Sequence, residues 1–284
     1  MFLNFKEAFT FMFKDEKFWQ KYIIGTALNI VPLILMTFAF NKIMTLNTQN
    51  PNIQDVITAL GMMGLTFIAF IPMLFSIGYS INYANKKIVF GTNELPQWGG
   101  SFKIFFIDGL KLMAGTLLVS AGGSAISALF QIIFVILALI IAALFALISK
   151  TALGIAIIVM LIIYFIMYLL FYIAFIFYIY LAMSSFFVDK KILSVFNIKR
   201  INSLRKGNII NIILIFLVSL PIMIISILLL LIAPYINCVL MIFLNFYFML
   251  VFYNLLSQFV QIGIKKNQKT LEAKEAKENA SDAP

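Results

Sequence analysis

The 284 residues include no histidine and a single cysteine. The first absence removes the usual metal ligand and the usual general base near neutral pH, so zinc sites and Ser-His-Asp chemistry have nothing to build on. The second excludes an intramolecular disulfide; Cys238 sits in an apolar stretch without a redox partner, where a small buried hydrophobe is the role that fits. Charge is scarce as well. Only 11% of residues are Asp, Glu, Lys or Arg, against about a quarter in soluble domains, while 63% are hydrophobic and the mean hydropathy is +1.05. No soluble fold covers that much apolar surface. The stretches Leu112–Ser149, Thr151–Val188 and Gly207–Ile264 carry no charged side chain, and a membrane span needs only about 20 apolar residues.

The chain therefore reads as all-α, a polytopic membrane helix bundle of about six transmembrane helices with added interfacial amphipathic helices. The predicted spans are Tyr22–Phe40, Ile57–Ile81, Ser124–Ile148, Ile155–Ser185, Ile209–Ile232 and Cys238–Ile262. The seven segments outside them hold 4, 1, 4, 1, 6, 0 and 5 Lys or Arg, so alternate segments hold 19 and 2 of the 21. Basic loops resist translocation, which predicts that the amino terminus, the 82–111 and 186–208 loops and the carboxyl-terminal tail are cytoplasmic. The net charge of +10 is explained by these flanking segments and gives no reason to expect nucleic-acid binding. Lys6, Lys14, Lys17 and Lys21 alternate with Glu7, Asp15 and Glu16, and no Ala-x-Ala site follows the first span, so a retained anchor is expected instead of a cleaved leader.

Three regions depart from a simple bundle. Ile104–Ile148 is too long for one span and is interrupted by Ser120-Ala121-Gly122-Gly123-Ser124; an interfacial helix over Phe102–Val119 with a bend at the glycines is predicted, and a re-entrant pair of half-helices is the rival. Thr151–Val188 would reach roughly 57 Å as a helix and must tilt or project. At the amino terminus, Phe2, Phe5, Phe9 and Phe13 recur at helical spacing among polar residues, predicting a domain of residues 1–21 that lies on the inner leaflet. Residues 22–263 form the membrane domain, and residues 264–284 a Lys/Glu-rich tail that is a frayed helix or disordered.

Candidate chemistry lies at the cytoplasmic face. The loop from Gly78 to Lys111 holds Lys86, Lys87, Trp98 and Asp108. Trp98 suits the headgroup level with its indole N–H wet, and Lys86 and Lys87 suit anionic lipid, so the loop is either a structured re-entry of the chain or a ligand or partner site around Trp98 and Asp108. Lys190, Lys191, Lys199, Arg200, Arg205 and Lys206 alternate with apolar residues and predict a segment lying flat on the inner leaflet, held by anionic headgroups at roughly 1 kcal/mol per basic residue. In the last span Tyr247, Asn254, Gln258 and Gln261 fall within about 60° on a 100° helical wheel. This polar stripe either packs helices through side-chain amides or lines a wet groove.

Phe13-Lys14-Asp15 with Trp19, Lys21 and Gly25, then Gly78-Tyr79, Leu95-Pro96-x-Trp98 and Asp108-Gly109, resemble an uncharacterised family of prokaryotic integral membrane proteins, the domain of unknown function numbered 4013. The likeness covers roughly Phe9–Gly263, although Gln97, Gly99 and Gly100 stand where the resemblance leads one to expect acids. It implies a multi-span protein of a prokaryotic plasma membrane and transfers no activity. The predicted spans contain no charged residue, which weakens coupled transport. Three functions are left open: a non-enzymatic membrane protein binding lipid or a partner at its inner face, an uncoupled permease or channel, and, least supported, an enzyme using the interfacial acids Glu94 and Asp108 or bringing Asp15, Asp108 and Asp189 together. No cofactor or metal is expected; membrane lipids are the expected partners, and no protein partner is indicated.

Overall fold

The computed structural model describes residues 2–45, 52–206, 208–232 and 234–281, with side chains described within them except at 33, 36, 37, 40, 41, 44, 67, 222, 223, 225–232, 234–243 and 269–281. Cys238 thus lies outside the described side chains. The described residues contain no strand. The short α1 (Phe5–Thr10) is followed by a 3-10 turn (Phe11–Lys14), and then by α2 (Phe18–Met44), α3 (Ile53–Phe90), α4 (Phe102–Ala146) and α5 (Lys150–Asp189). A second 3-10 turn (Ile192–Phe196) and the short α6 (Ile198–Arg205) precede α7 (Ile209–Ile232) and α8 (Pro234–Ser281). The six long helices stand where the six spans were predicted. Among described residues α3, α4, α5 and the part of α8 from Leu244 to Gln268 are each long and apolar enough to cross a membrane, and α6 meets α7 at 88° in a bent pair that would make a fifth. The chain is an all-α membrane helix bundle.

The helix ends follow local chemistry. Asn52 and Asp55 form a reciprocal capping box at the start of α3, and Gly91, at φ 72°, ends it in the left-handed conformation. Ser149 caps α5 by accepting from the Ala152 N–H.

The close approach of α3 and α4 organises the core. A Cβ on Gly78 would lie 1.7 Å from the Phe105 carbonyl oxygen, and one on Gly109 would lie 2.0 Å from that of Leu74. Each helix presents a bare backbone where the other passes, the small-residue device of membrane helix pairs. This corrects two expectations. Phe102–Val119 is not a separate interfacial helix but the first half of an unbroken 45-residue α4, about 67 Å long. Gly123, expected at a bend, instead leaves space for the Phe175 ring of α5, which would lie 2.2 Å from an added Cβ. Gly123 serves packing, Gly122 faces open space, and α4 shows neither an interruption nor a re-entrant pair.

Pro32, Pro72 and Pro221 sit inside α2, α3 and α7. Nearby polar groups bond between helices or back to the chain: the Asn29 amide donates to the Gly25 carbonyl (2.7 Å) and to Ser76 Oγ (3.0 Å), and Ser219 pairs with the Tyr180 hydroxyl at 3.1 Å.

Because overpacking at a backbone contact costs about 1–3 kcal/mol or more, Gly78→Leu and Gly109→Leu should each lower the melting temperature in detergent or abolish monodisperse protein. Gly61→Leu and Gly122→Leu, where an added Cβ meets nothing within 4 Å, should leave it unchanged.

Candidate functional site

The amino-terminal segment, the 82–111 region, the 186–208 segment and the last turns of the bilayer-length part of α8 converge at one end of the bundle. The four most basic stretches of the sequence therefore share one face. Its centre is Lys87, whose side chain is 3% exposed. The Lys87 ammonium donates to Glu7 Oε1 (2.6 Å), Asn93 Oδ1 (2.8 Å) and Asn254 Oδ1 (3.0 Å). Three oxygens from α1, the loop after α3 and α8 thus satisfy one buried cation. The pair is felt differently at its two ends. At Lys87 burial outweighs Glu7 and holds the ammonium below the usual lysine range, whereas at Glu7, on the rim, the opposing effect of burial is overcome by the Lys87 hydrogen bond and charge, and the carboxyl is held below its ordinary value.

The polar stripe of α8 is the counterpart of this knot. Asn254 also donates to the Tyr83 hydroxyl, and Gln258 donates to Asn254 Oδ1 (2.8 Å). Gln258 further brackets the Asn4 backbone, accepting from its N–H at 2.7 Å and donating to its carbonyl at 3.2 Å. Gln261 donates to the Lys87 carbonyl (2.5 Å), and the Tyr247 hydroxyl to that of Phe9 (2.9 Å). Every member of the stripe makes a hydrogen bond to another part of the protein.

The amino-terminal segment is docked by these bonds. Leu3, Ala8, Phe11 and Met12 are buried, with Phe11 stacked on Tyr83 at 4.6 Å, while Phe2 and Phe13 stay outside. Of the four periodic phenylalanines, Phe5 and Phe9 pack half-buried against the core, and the fully buried side chains come from the positions between them.

Beside the knot, Trp98 is buried and stacks on Tyr79 at 4.1 Å, its indole N–H donating to the Lys21 carbonyl at 3.0 Å. The expectation of a wet indole at the headgroups is corrected, because the loop folds Trp98 back onto α3. The Tyr79 hydroxyl donates to the Pro96 carbonyl (2.8 Å), and the Lys21 ammonium joins Asp15 Oδ2 (2.7 Å) to the Leu95 carbonyl (2.8 Å). Asp15 also accepts from the Leu95 N–H at 3.2 Å. Asp108, buried, accepts from Lys190 (3.1 Å) and Asn82 (2.9 Å), with Lys111 at 4.0 Å. Lys190 itself ends α5 at φ 54° and also donates to Asn82 Oδ1 at 2.6 Å. Each of the three aspartates thus has its own cation, since Arg200 pairs with Asp189 at 2.8 Å. Burial would raise the Asp189 carboxyl, but Ser194 and Arg200 hold it below the ordinary range.

The predicted basic site is therefore divided. Lys87, Lys190 and Arg200 are spent on internal carboxylates, and Lys87 is buried away from lipid. Lys86, Lys191, Lys199, Arg205 and Lys206 are exposed and form no ion pair among the described residues. The same residues include no cluster of three or more potential metal-ligating His, Cys, Asp or Glu side chains.

A helical bundle of membrane-crossing length whose charges collect at one end is a polytopic membrane protein. The family profile described as "Protein of unknown function (DUF4013)" matches residues 62–235, and the chain belongs to that family. The match leaves out Asp15, Lys21 and Gly25, although these contact its 78–109 region or α8 directly. No curated protein and no solved structure matches the chain.

Glu7, Asn4, Tyr83, Asn82 and Asn93 escaped sequence reasoning. A lone acid among the amino-terminal phenylalanines was the available signal for Glu7. Removing one partner of a buried ion pair strands the other, at a cost on the order of 3 kcal/mol. Glu7→Ala should therefore lower the melting temperature in detergent more than Lys87→Met, which leaves the rim carboxyl free to hydrate. The depressed Glu7 value gives a contribution fully present above its ordinary pKa of 4.5 and lost as pH falls through the lower folded value. The melting temperature should decline below that range, and Lys87→Met should flatten the decline.

Proposed function

We propose that the protein is a non-enzymatic membrane protein of a prokaryotic plasma membrane, with both termini in the cytoplasm, whose inner face is seated on anionic lipid. The observation that carries this reading is the surface of the 191–206 segment. Leu193, Phe196 and Ile198 are 78%, 41% and 64% exposed, beside the exposed and unpaired Lys191, Lys199, Arg205 and Lys206. Ile201 and Leu204 are buried, and Asn208 donates to the Phe259 carbonyl at 3.0 Å, so the segment is fixed to the bundle with its apolar and basic groups turned outward. Outward apolar side chains bordered by ammonium and guanidinium groups suit the boundary between acyl chains and anionic headgroups.

An uncoupled permease gains no support from the α8 stripe, whose groups are internally bonded. An enzyme gains none from the aspartates, which are neutralised one by one.

The test is hydrogen–deuterium exchange on the full-length protein in nanodiscs. Residues 190–206 should exchange more slowly with phosphatidylglycerol than with phosphatidylcholine, and the difference should shrink with added salt and in the Lys191→Gln, Lys199→Gln, Arg205→Gln, Lys206→Gln variant. Exchange indifferent to lipid charge and salt would sink the proposal.

A further inference from the structure

A cleft of about 980 Å³ opens between the 14–21 turn, the end of α3, the 92–101 loop and the start of α4, at the upper end of the size range of small-molecule sites. Its lining carries both signs of charge. Lys14, Lys17 and Lys86 contribute ammonium groups, Glu16 and Glu94 carboxylates. All five are exposed, and none forms an ion pair among the described residues. Lys21 and Asp15, also in the wall, are already paired with one another at 2.7 Å. The floor is made by Leu95, Pro96 and Phe105, held in place by the Trp98–Tyr79 stack and the bonds from Lys21 and Asp15, so the cleft has a rigid base. Its lips are apolar: Phe90 is 73% and Ile104 52% exposed.

The position of the cleft selects its ligand. Trp19, 67% exposed on the first turn of α2, has the place of an interfacial anchor, and the apolar faces of α2 and α4 begin directly beyond, with Ile23 62% and Ile107 37% exposed. A molecule in the cleft would have its polar part at headgroup level and its apolar part along Ile104 and Ile107 on α4. A purely anionic ligand would meet the two free carboxylates, and a purely cationic one the three free ammonium groups. A ligand with a phosphate for Lys14, Lys17 and Lys86 and an ammonium for Glu16 and Glu94 satisfies both. Two aromatic rings line the cleft, Phe90 and Phe105, but Phe105 is only 2% exposed and Phe90 stands alone at the lip, while Trp98 and Tyr79 are stacked face to face beneath; the several converging rings of a cage for quaternary ammonium groups are missing. A primary ammonium, with three N–H donors for carboxylates, fits instead.

We propose that this cleft binds the phosphoethanolamine headgroup of a phospholipid. The site is separate from the 191–206 surface and takes a zwitterionic partner, not an anionic one; it rests on the reading of this end as the lipid-contacting face.

Full-length protein in detergent micelles, offered phosphatidylethanolamine, phosphatidylcholine and phosphatidylglycerol of matched chains, can be read by native mass spectrometry for retained lipid. Phosphatidylethanolamine should be retained about five-fold over each of the others, as one surface ion contact of about 1 kcal/mol implies. Glu94→Gln should erase that preference, and the Lys17→Gln, Lys86→Gln double variant should reduce retention of all three lipids. These side chains are exposed, and unchanged melting temperatures would show intact folds. Displacement by millimolar soluble phosphoethanolamine would support recognition of the headgroup alone, and retention against it would support recognition of the whole lipid. Equal retention of the three lipids by the wild-type protein, or a preference unaltered by both variants, would overturn the proposal. The four-fold 191–206 variant should keep the phosphatidylethanolamine preference, so loss of one reading is separable from loss of the other.

Discussion

Taking the Lys87 ammonium out of water demands compensation, and the charged end of the bundle is arranged around meeting it. A buried cation is tolerated when a counter-ion and enough acceptors surround it. Here those acceptors come from three places distant in sequence: Glu7, Asn93 and Asn254. Meeting that demand fixes the amino-terminal segment against α8, and the segment in turn occupies Gln258 and Tyr247. Asp108 with Lys190 and Asp15 with Lys21 repeat the pattern nearby. The first joins α4 to the end of α5, and in the second Asp15 and Lys21, six residues apart, together hold the Leu95 backbone.

Beneath the ion pairs lies the α3–α4 contact, where Gly78 and Gly109 let two backbones pass without side chains between them. Tyr79 and Asp108, the neighbours of those glycines, then point to the Trp98 stack and to the Lys190 pair. Phe13, Lys14 and Trp19 stay exposed, but most of the motif residues that carry the family resemblance are packed together, with Asp15 and Lys21 joined to Leu95 and Trp98, and Gly25 leaving room for the Phe246 ring. Their spacing in the chain reflects packing. What remains unengaged on this end is the 191–206 surface and the mixed-charge cleft, the two places proposed to meet lipid.

The long apolar runs and the alternation of Lys and Arg were enough to place all six long helices, because desolvation of backbone and charge leaves few arrangements in a bilayer. Three details were hidden. Gly122 and Gly123 look like a hinge in one dimension, and only the opposite helix reveals that Gly123 admits Phe175. The Phe spacing at the amino terminus reports one face of a helix without saying which face docks. Trp98 and Lys87 carry the side chains of interfacial residues, but their burial depends on Lys21, Glu7 and Asn254, partners separated from them by 77, 80 and 167 residues. Of the predicted lipid-facing cations, Lys87 is buried and Lys190 and Arg200 are half-buried, each against a carboxylate, and for Lys87 and Lys190 that partner lies in a distant segment that nothing local reveals. The α8 stripe is visible on a helical wheel, and its hydrogen-bonding role follows once the amino-terminal backbone is seen lying along it.

The central claim is that the amino-terminal segment is an integral part of this charged end and is held there by Lys87. Backbone amide exchange of residues 3–14 in full-length protein reconstituted in nanodiscs tests it most directly. Strong protection that is lost when Glu7 and Asn254 are both replaced by leucine is the expected result; exchange at the rate of a free peptide in the wild-type protein would contradict it.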